Sequence, residues 1–148
     1  MPIAAVLACI VIGVTDGDTL TARCEREHGL ETLRVRLAEI DAPEKGQAFG
    51  NLSKQHLAEF CTGKHADVAA IGKDRYLRTV AHVSCDKVDA STEQVRAGMA
   101  WVFDRYVTDR SLYYVQDAAR SAHVGLWADP QATAPWAWRA SKAPSGRP

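Results

Sequence analysis

Leu33-Arg34-Val35-Arg36-Leu37, running on through Ala38-Glu39 into Ile40-Asp41-Ala42-Pro43-Glu44, is the stretch from which the fold can be read. Residues 32–38 alternate, with Leu33, Val35 and Leu37 on one face and Arg34 and Arg36 on the other. A period of two with a polar face predicts an antiparallel strand with one side in the core. Pro43 ends it, because proline has no N–H to give to a ladder. Upstream, the apolar run 7–15 predicts a buried strand, and 18–26 predicts its partner across a two-residue Asp16-Gly17 hairpin turn. A His28-Gly29 turn leads into the third strand. The double hairpin sets Asp18 opposite residues 39–41, so Asp18 and Asp41, distant in sequence, meet at one sheet end.

Downstream, residues 47–62 predict a helix with Phe49, Leu52, His56 and Phe60 on its inner stripe and Gly63 as its stop. Residues 66–71 and 77–85 predict two further strands, joined by Gly72-Lys73-Asp74-Arg75-Tyr76. Ser91 and Gln94 have capping-box spacing and open a short helix that Gly98 closes. A last helix is expected over 109–123, with Leu112, Val115, Ala119 and Ala122 inward. The tail from Asp129 carries Trp136 and Trp138, which are expected to order it to about Arg139, with 140–148 flexible. Five short strands with a helix after the third describe an α+β, mainly β fold: a five-stranded OB-fold barrel with three helices, in one domain spanning 1–148.

The chain of 148 residues is long enough for one real core and too short for two comfortable ones. A hydrophobic content of 47% excludes disorder as the default. Zero formal net charge counts against holding nucleic acid by bulk electrostatics alone. Twelve of the 18 cations are Arg, the residue suited to bidentate phosphate contacts. The apolar segment Pro2–Val14 is too short to span a bilayer and reads as a first strand, with the remnant of an export signal over Met1–Ala8 as an addition to it. Four cysteines allow three connectivities. The Asp16-Gly17 turn sets Cys9 opposite Cys24 and leaves Cys61, near a helix end, to pair with Cys85 at a strand end. Disulfides fit an oxidising compartment; four reduced thiols in a cytosolic protein are the alternative.

Asp18 and Asp41 are hard oxygen ligands suited to Ca²⁺ or Mg²⁺, and no His/Cys set with zinc spacing competes. Glu44 is close enough in sequence to reach the same pocket and deprotonate a water. Arg36 on the polar strand face, and Arg78 from the fifth strand, are placed to stabilise negative charge on a phosphorane. Each residue also has a structural reading. Asp-Gly-Asp makes hairpin turns, Asp41 precedes Ala-Pro at a strand end, and Arg36 suits a solvated face. Asp74 with Arg78 would make a surface pair worth roughly 0–1 kcal/mol.

Taken together, Val14-Thr-Asp-Gly-Asp-Thr19, Arg36-Leu-Ala-Glu-Ile-Asp-Ala-Pro-Glu44, Asp74-Arg-Tyr-Leu-Arg78, Gly98-Met-Ala-Trp101 and Gly125-Leu-Trp127 resemble the signatures of the staphylococcal nuclease-like (thermonuclease) family. The likeness runs from Val11 to Trp127, and the cysteine pattern resembles the exported proteobacterial and plasmid-borne members. The resemblance implies that Asp18, Asp41 and the carbonyl of Ala42 hold one Ca²⁺ ion and that Glu44 is the general base. It implies that Arg36 and Arg78 bind the scissile phosphate, and that Arg75, Tyr76 and Tyr106 contact the neighbouring phosphate and stack on a base. The implied activity is Ca²⁺-dependent hydrolysis of DNA and RNA, single strands preferred, leaving 3′-phosphate ends. The implied setting is a monomer, periplasmic or secreted, with no membrane partner. Leu77 departs from the pattern, standing where the family usually has Gly. The loop between Glu44 and the following helix is also short for the family. The alternative is an inactive barrel binding single-stranded nucleic acid or a protein, since fold does not fix function.

Overall fold

The computed structural model describes residues 5–142. The chain runs β1 (Val6–Asp16), β2 (Thr19–Arg26), β3 (Gly29–Leu37), β4 (Ile40–Asp41), α1 (Gly50–Cys61), β5 (His65–Lys73), β6 (Thr79–Cys85) and β7 (Val88–Asp89). It continues through α2 (Ala90–Arg96), β8 (Trp101–Val102), α3 (Ser111–Ser121), a 3-10 turn at Gly125–Ala128, and α4 (Pro135–Lys142). The expected flexible tail from residue 143 onward, and the first four residues of the expected signal remnant, lie outside the described residues.

The sheet order is β3-β2-β1-β5-β6-β7. Parallel pairing of Val35–Leu37 in β3 with Thr79–Ala81 in β6 closes the first five strands into a barrel, the OB-type architecture expected. Its interior is the buried side of each alternating strand: Cys9 and Val11, Leu20 and Ala22, Val35 and Leu37, Ala66 and Val68, Ala81 and Val83. Among the described residues four helices form rather than three, because the tail folds as α4 on its tryptophans. The cysteines pair as expected: Cys9 bonds Cys24 and Cys61 bonds Cys85, and all four are buried. Each closed loop contributes roughly 3 kcal/mol in the chain-entropy picture.

Register differs from expectation at both hairpins. The first turn is Gly17-Asp18, with Asp16 paired to Thr19, and the second is Glu27-His28, with Arg26 paired to Gly29. Bulges between Val11 and Gly13 and between Val14 and Asp16 absorb the offset at the first turn, so Cys9 still faces Cys24. The Asp18 carbonyl accepts from the Leu37 N–H at 2.8 Å, so β3 sets Leu37, not residues 39–41, beside Asp18.

Three helical expectations are corrected. α1 begins at Gly50 and turns Gly50, Ser53, Leu57 and Cys61 inward, leaving Leu52 exposed. The bond from Cys61 to Cys85 and the seat of Ser53 under the first hairpin fix that face, and they outweigh the pull of the larger side chains. In α2 the N-cap is Asp89, whose carboxylate accepts from the Thr92 N–H at 2.9 Å. Ser91 instead donates to the Ala38 carbonyl at 2.8 Å, so the capping box does not form. In α3 Leu112 and Ala119 are buried, whereas Ala122 lies just past the helix end and is exposed.

Candidate active site

The first hairpin delivers Asp18 because its turn is pinned from beneath. Gln94, fully buried, donates to the Gly17 carbonyl at 2.7 Å and to the Ser53 carbonyl at 3.1 Å. A Cβ on Gly17 would sit 1.8 Å from Ser53 Oγ, so only glycine admits this approach. Asp18 is then oriented by two donors: the Thr19 hydroxyl at 2.9 Å to Oδ1 and the Ala42 N–H at 2.9 Å to Oδ2.

Asp41 comes from β4, paired antiparallel with β8 so that it lies opposite Trp101. Arg36, one residue before the end of β3 and paired with Thr19, bridges the two acids. Its Nη2 lies 3.7 Å from Asp18 Oδ2 and 3.5 Å from Asp41 Oδ1. Both carboxylates are buried, Asp18 at 7% and Asp41 at 1% exposure. Burial pushes the Asp41 carboxyl up, with Asp18 adding to the shift and Arg139 and Arg36 opposing it. Burial likewise raises Asp16, helped by the charges of Asp18 and Glu44. The barrel end therefore concentrates negative charge on four carboxylates.

Arg78 precedes β6 and reaches the same end. Its Nη1 donates to Thr19 Oγ1 at 3.2 Å, and Thr19 in turn donates to Asp18. Its Nε donates to Asp74 Oδ2 at 2.7 Å, and its main-chain N–H to Asp74 Oδ1 at 3.0 Å. Leu77 occupies this turn at φ 64°, the left-handed region that favours glycine, with its side chain exposed. The turn thus forms with Leu in the left-handed conformation, and Arg78 reaches Thr19 from it. Arg75 and Arg78 place their guanidinium carbons 5.1 and 5.3 Å from the Tyr76 ring centre. Tyr106 stands on a separate loop, packed edge-on against Phe103 with ring centres 5.2 Å apart.

Three residues that the sequence did not assign to the site shape it. Glu39, buried and at φ 72°, accepts from the main-chain N–H groups of Thr108 and Asp109, each at 2.6 Å. It anchors the loop that carries Tyr106. Gln94 holds the hairpin turn. Arg139 of α4 donates from Nη2 to Asp41 Oδ2 and from Nη1 to Glu44 Oε1, each at 2.6 Å. The only sequence signal for Arg139 is its position three residues after Trp136, on the same helical face.

Buried carboxylates joined to main-chain oxygens, with no Cys or His among them, are the donor chemistry of a hard divalent cation. Asp18 and Asp41, side by side at the barrel end, have the chemistry to ligate such an ion. Among the described residues no three Asp, Glu, His or Cys side chains converge as a ready-made metal cluster, so main-chain and water oxygens would complete the shell.

The model of the family described as "Staphylococcal nuclease homologue" matches residues 34–129. An uncharacterized endonuclease of Haemophilus influenzae is 44% identical over 131 residues, covering 88% of this chain and 72% of that protein. A micrococcal nuclease of Shigella flexneri is 39% identical over 140 residues, covering 87% and 78%. A probable staphylococcal-like nuclease of Oryza sativa subsp. japonica is 35% identical over 109 residues, covering 74% of this chain and 33% of that protein. With its barrel, its three ordered signatures and these matches over most of its length, the chain belongs to the staphylococcal nuclease-like family.

Proposed function

We propose that this protein is a Ca²⁺-dependent nuclease that hydrolyses phosphodiester bonds in DNA and RNA, preferring single strands. The observation that carries the reading is the sharing of Arg36 between two buried carboxylates, 3.7 Å from Asp18 and 3.5 Å from Asp41. Such an arrangement sets a cation site and a phosphate-binding guanidinium side by side. Asp18, Asp41 and the carbonyl of Ala42 would hold the ion, which when bound supplies neutralising charge and lowers the pKa of nearby water. Glu44 takes the proton of the water that attacks phosphorus. Arg36 and Arg78 gain interaction energy as negative charge builds on the equatorial oxygens, so they act on the transition state more than on the ground state. The 5′-oxygen leaves, and the product strand ends in a 3′-phosphate. Arg75, Tyr76 and Tyr106 hold the flanking nucleotide.

The two buried disulfides suit an oxidising compartment, which supports a periplasmic or secreted protein. No helix among the described residues is long and apolar enough to cross a membrane. The protein acts as a monomer in this reading.

Incubation with denatured DNA, in Ca²⁺ or in excess chelator, tests the proposal. Cleavage in Ca²⁺ alone is expected, with new ends that a polymerase extends only after phosphatase treatment. Cleavage that persists in chelator would overturn the assignment of the ion. Retention of DNA without cleavage would favour an inactive binding module instead.

A further inference from the structure

We propose that Arg139 is a built-in competitor for the cation: its guanidinium occupies the Asp41–Glu44 side of the acidic pocket, so that α4 must release before a divalent ion is fully bound. The inference rests on the reading of that pocket as a divalent-cation site.

The contact is a fork. Arg139 Nη2 lies 2.6 Å from Asp41 Oδ2 and Nη1 lies 3.3 Å from Asp41 Oδ1, while the same Nη1 lies 2.6 Å from Glu44 Oε1. Paired N–H donors of this kind take up the in-plane lone pairs of a carboxylate. A calcium ion needs those lone pairs at about 2.3–2.6 Å. Ion and fork therefore cannot use both Asp41 oxygens together, and a divalent charge beside the guanidinium would repel it. The proposed general base is engaged by the same side chain, so one contact restrains both the ion's ligand and the proton acceptor.

Arg36 does not act in the same way. It reaches both acids at 3.5 Å or more, and its Nη1 is engaged by the Leu37 carbonyl at 2.5 Å, which ties it to the strand that bears it. Arg139 arrives on a two-turn helix of eight residues. Helices this short are marginal alone and depend on docking. Docking here is aromatic: Trp136 stacks on Phe103 with ring centres 5.4 Å apart and meets Trp101 at 5.7 Å. Gln47 adds a hydrogen bond to the Thr133 carbonyl at 2.8 Å. Trp101 is paired with Asp41 in the β4–β8 ladder, so the platform under α4 and the acid it covers move as one piece. The helix is thus held by contacts that can part without disturbing the barrel.

By linkage, whatever affinity Arg139 takes from the ion, the ion takes from the docking of α4. Calorimetric titration of Ca²⁺ into the full chain and its Arg139→Gln and Arg139→Lys variants measures the first half. Arg139→Gln is expected to bind about tenfold more tightly, with Arg139→Lys in between, because it keeps the charge and loses the fork. Amide hydrogen exchange measures the second half: Ca²⁺ should speed exchange in residues 135–142 of the wild-type chain and leave the barrel strands unchanged. Asp41→Asn should abolish both responses. Equal affinities for wild type and Arg139→Gln, with no change in exchange over 135–142, would overturn the competitor role while leaving the cation site intact. Absence of Ca²⁺ binding by wild type and Arg139→Gln alike, with the fold retained by circular dichroism, would instead remove the cation reading itself.

Discussion

Asp18 and Asp41 sit almost fully buried at the ends of strands, whereas Tyr76 and Tyr106 each stand 58% exposed on loops. Asp18 is held by the first hairpin and the Gln94 clamp under its turn, and Asp41 by the short β4–β8 ladder. The tyrosines are held by one or two local contacts: the Arg75 and Arg78 guanidiniums for Tyr76, and Phe103 with Arg105 for Tyr106. Groups that must meet a developing charge gain from a fixed position, because electrostatic stabilisation works through preorganised geometry. Groups that stack on a base tolerate movement, because every base has a π-face and stacking is sequence-tolerant. In the proposed reaction the barrel end would supply the chemistry and its rim the grip.

Kinetics can break that division. Arg36→Ala is expected to lower kcat by about 10²–10³ with the circular dichroism spectrum unchanged, and Glu44→Gln is expected to lower it by about 10²–10⁴. Tyr76→Ala and Tyr106→Ala are expected to raise KM by roughly 5- to 100-fold, matching about 1–3 kcal/mol per stacked base, while kcat barely changes. Steady-state rates on a single-stranded oligonucleotide separate the two patterns. A fall in kcat for Tyr106→Ala as deep as that for Arg36→Ala would show that the rim takes part in the chemistry.

The same contrast explains which parts of the site were legible in the sequence. Period-two alternation exposes strands, and strands carry Arg36 and the acids, so the barrel and the convergence of Asp18 with Arg36 and Asp41 could be read. The Cys9–Cys24 pairing was also readable, although by an inexact route, since bulges corrected the misplaced turn. Bulges leave little trace in a hydrophobic pattern. The spacing of Gln94 from Ser91 satisfies a local capping rule, while its partners in the fold, Gly17 and Ser53, lie far away in sequence. Glu39 stands in sequence between Ala38 and Ile40, and only the closed fold brings its carboxylate to the N–H groups of Thr108 and Asp109. Arg139 is 98 residues from Asp41, and no periodicity connects them. Local patterns reveal elements; contacts between elements emerge only when the chain closes.

Leu77 sharpens the comparison from the rim side. At φ 64° it is strained for an L-residue, and at 79% exposure it gains almost nothing from burial. Leu77→Gly should relieve left-handed strain of roughly 1–2 kcal/mol, partly offset by the greater entropy of glycine in the unfolded chain. A net gain of about 1 kcal/mol is expected in urea denaturation, with kcat unchanged because Arg78 is already aimed. A loss of stability would mean that the leucine makes contacts that outweigh its backbone strain.

The smallest expected effect belongs to the Asp74–Arg78 pair, at the border between the two regions. Desolvation raises the Asp74 carboxyl, but the main-chain N–H and guanidinium of Arg78, with the N–H of Tyr76, outweigh it and hold the group below the usual carboxylate range. A depressed pKa in the folded state stabilises the protein above the unfolded value of about 3.9, and that contribution is lost as pH falls through the folded value. The pair is partly solvated, so its contribution is discounted to about 1 kcal/mol or less. Asp74→Asn should therefore lower the denaturation midpoint at pH 6 and converge on wild type as the pH drops toward 3. A difference that stays constant over that range would mean the loop depends on the shape of the Asp74 side chain, not on its charge, and that Arg78 is aimed by the backbone turn alone.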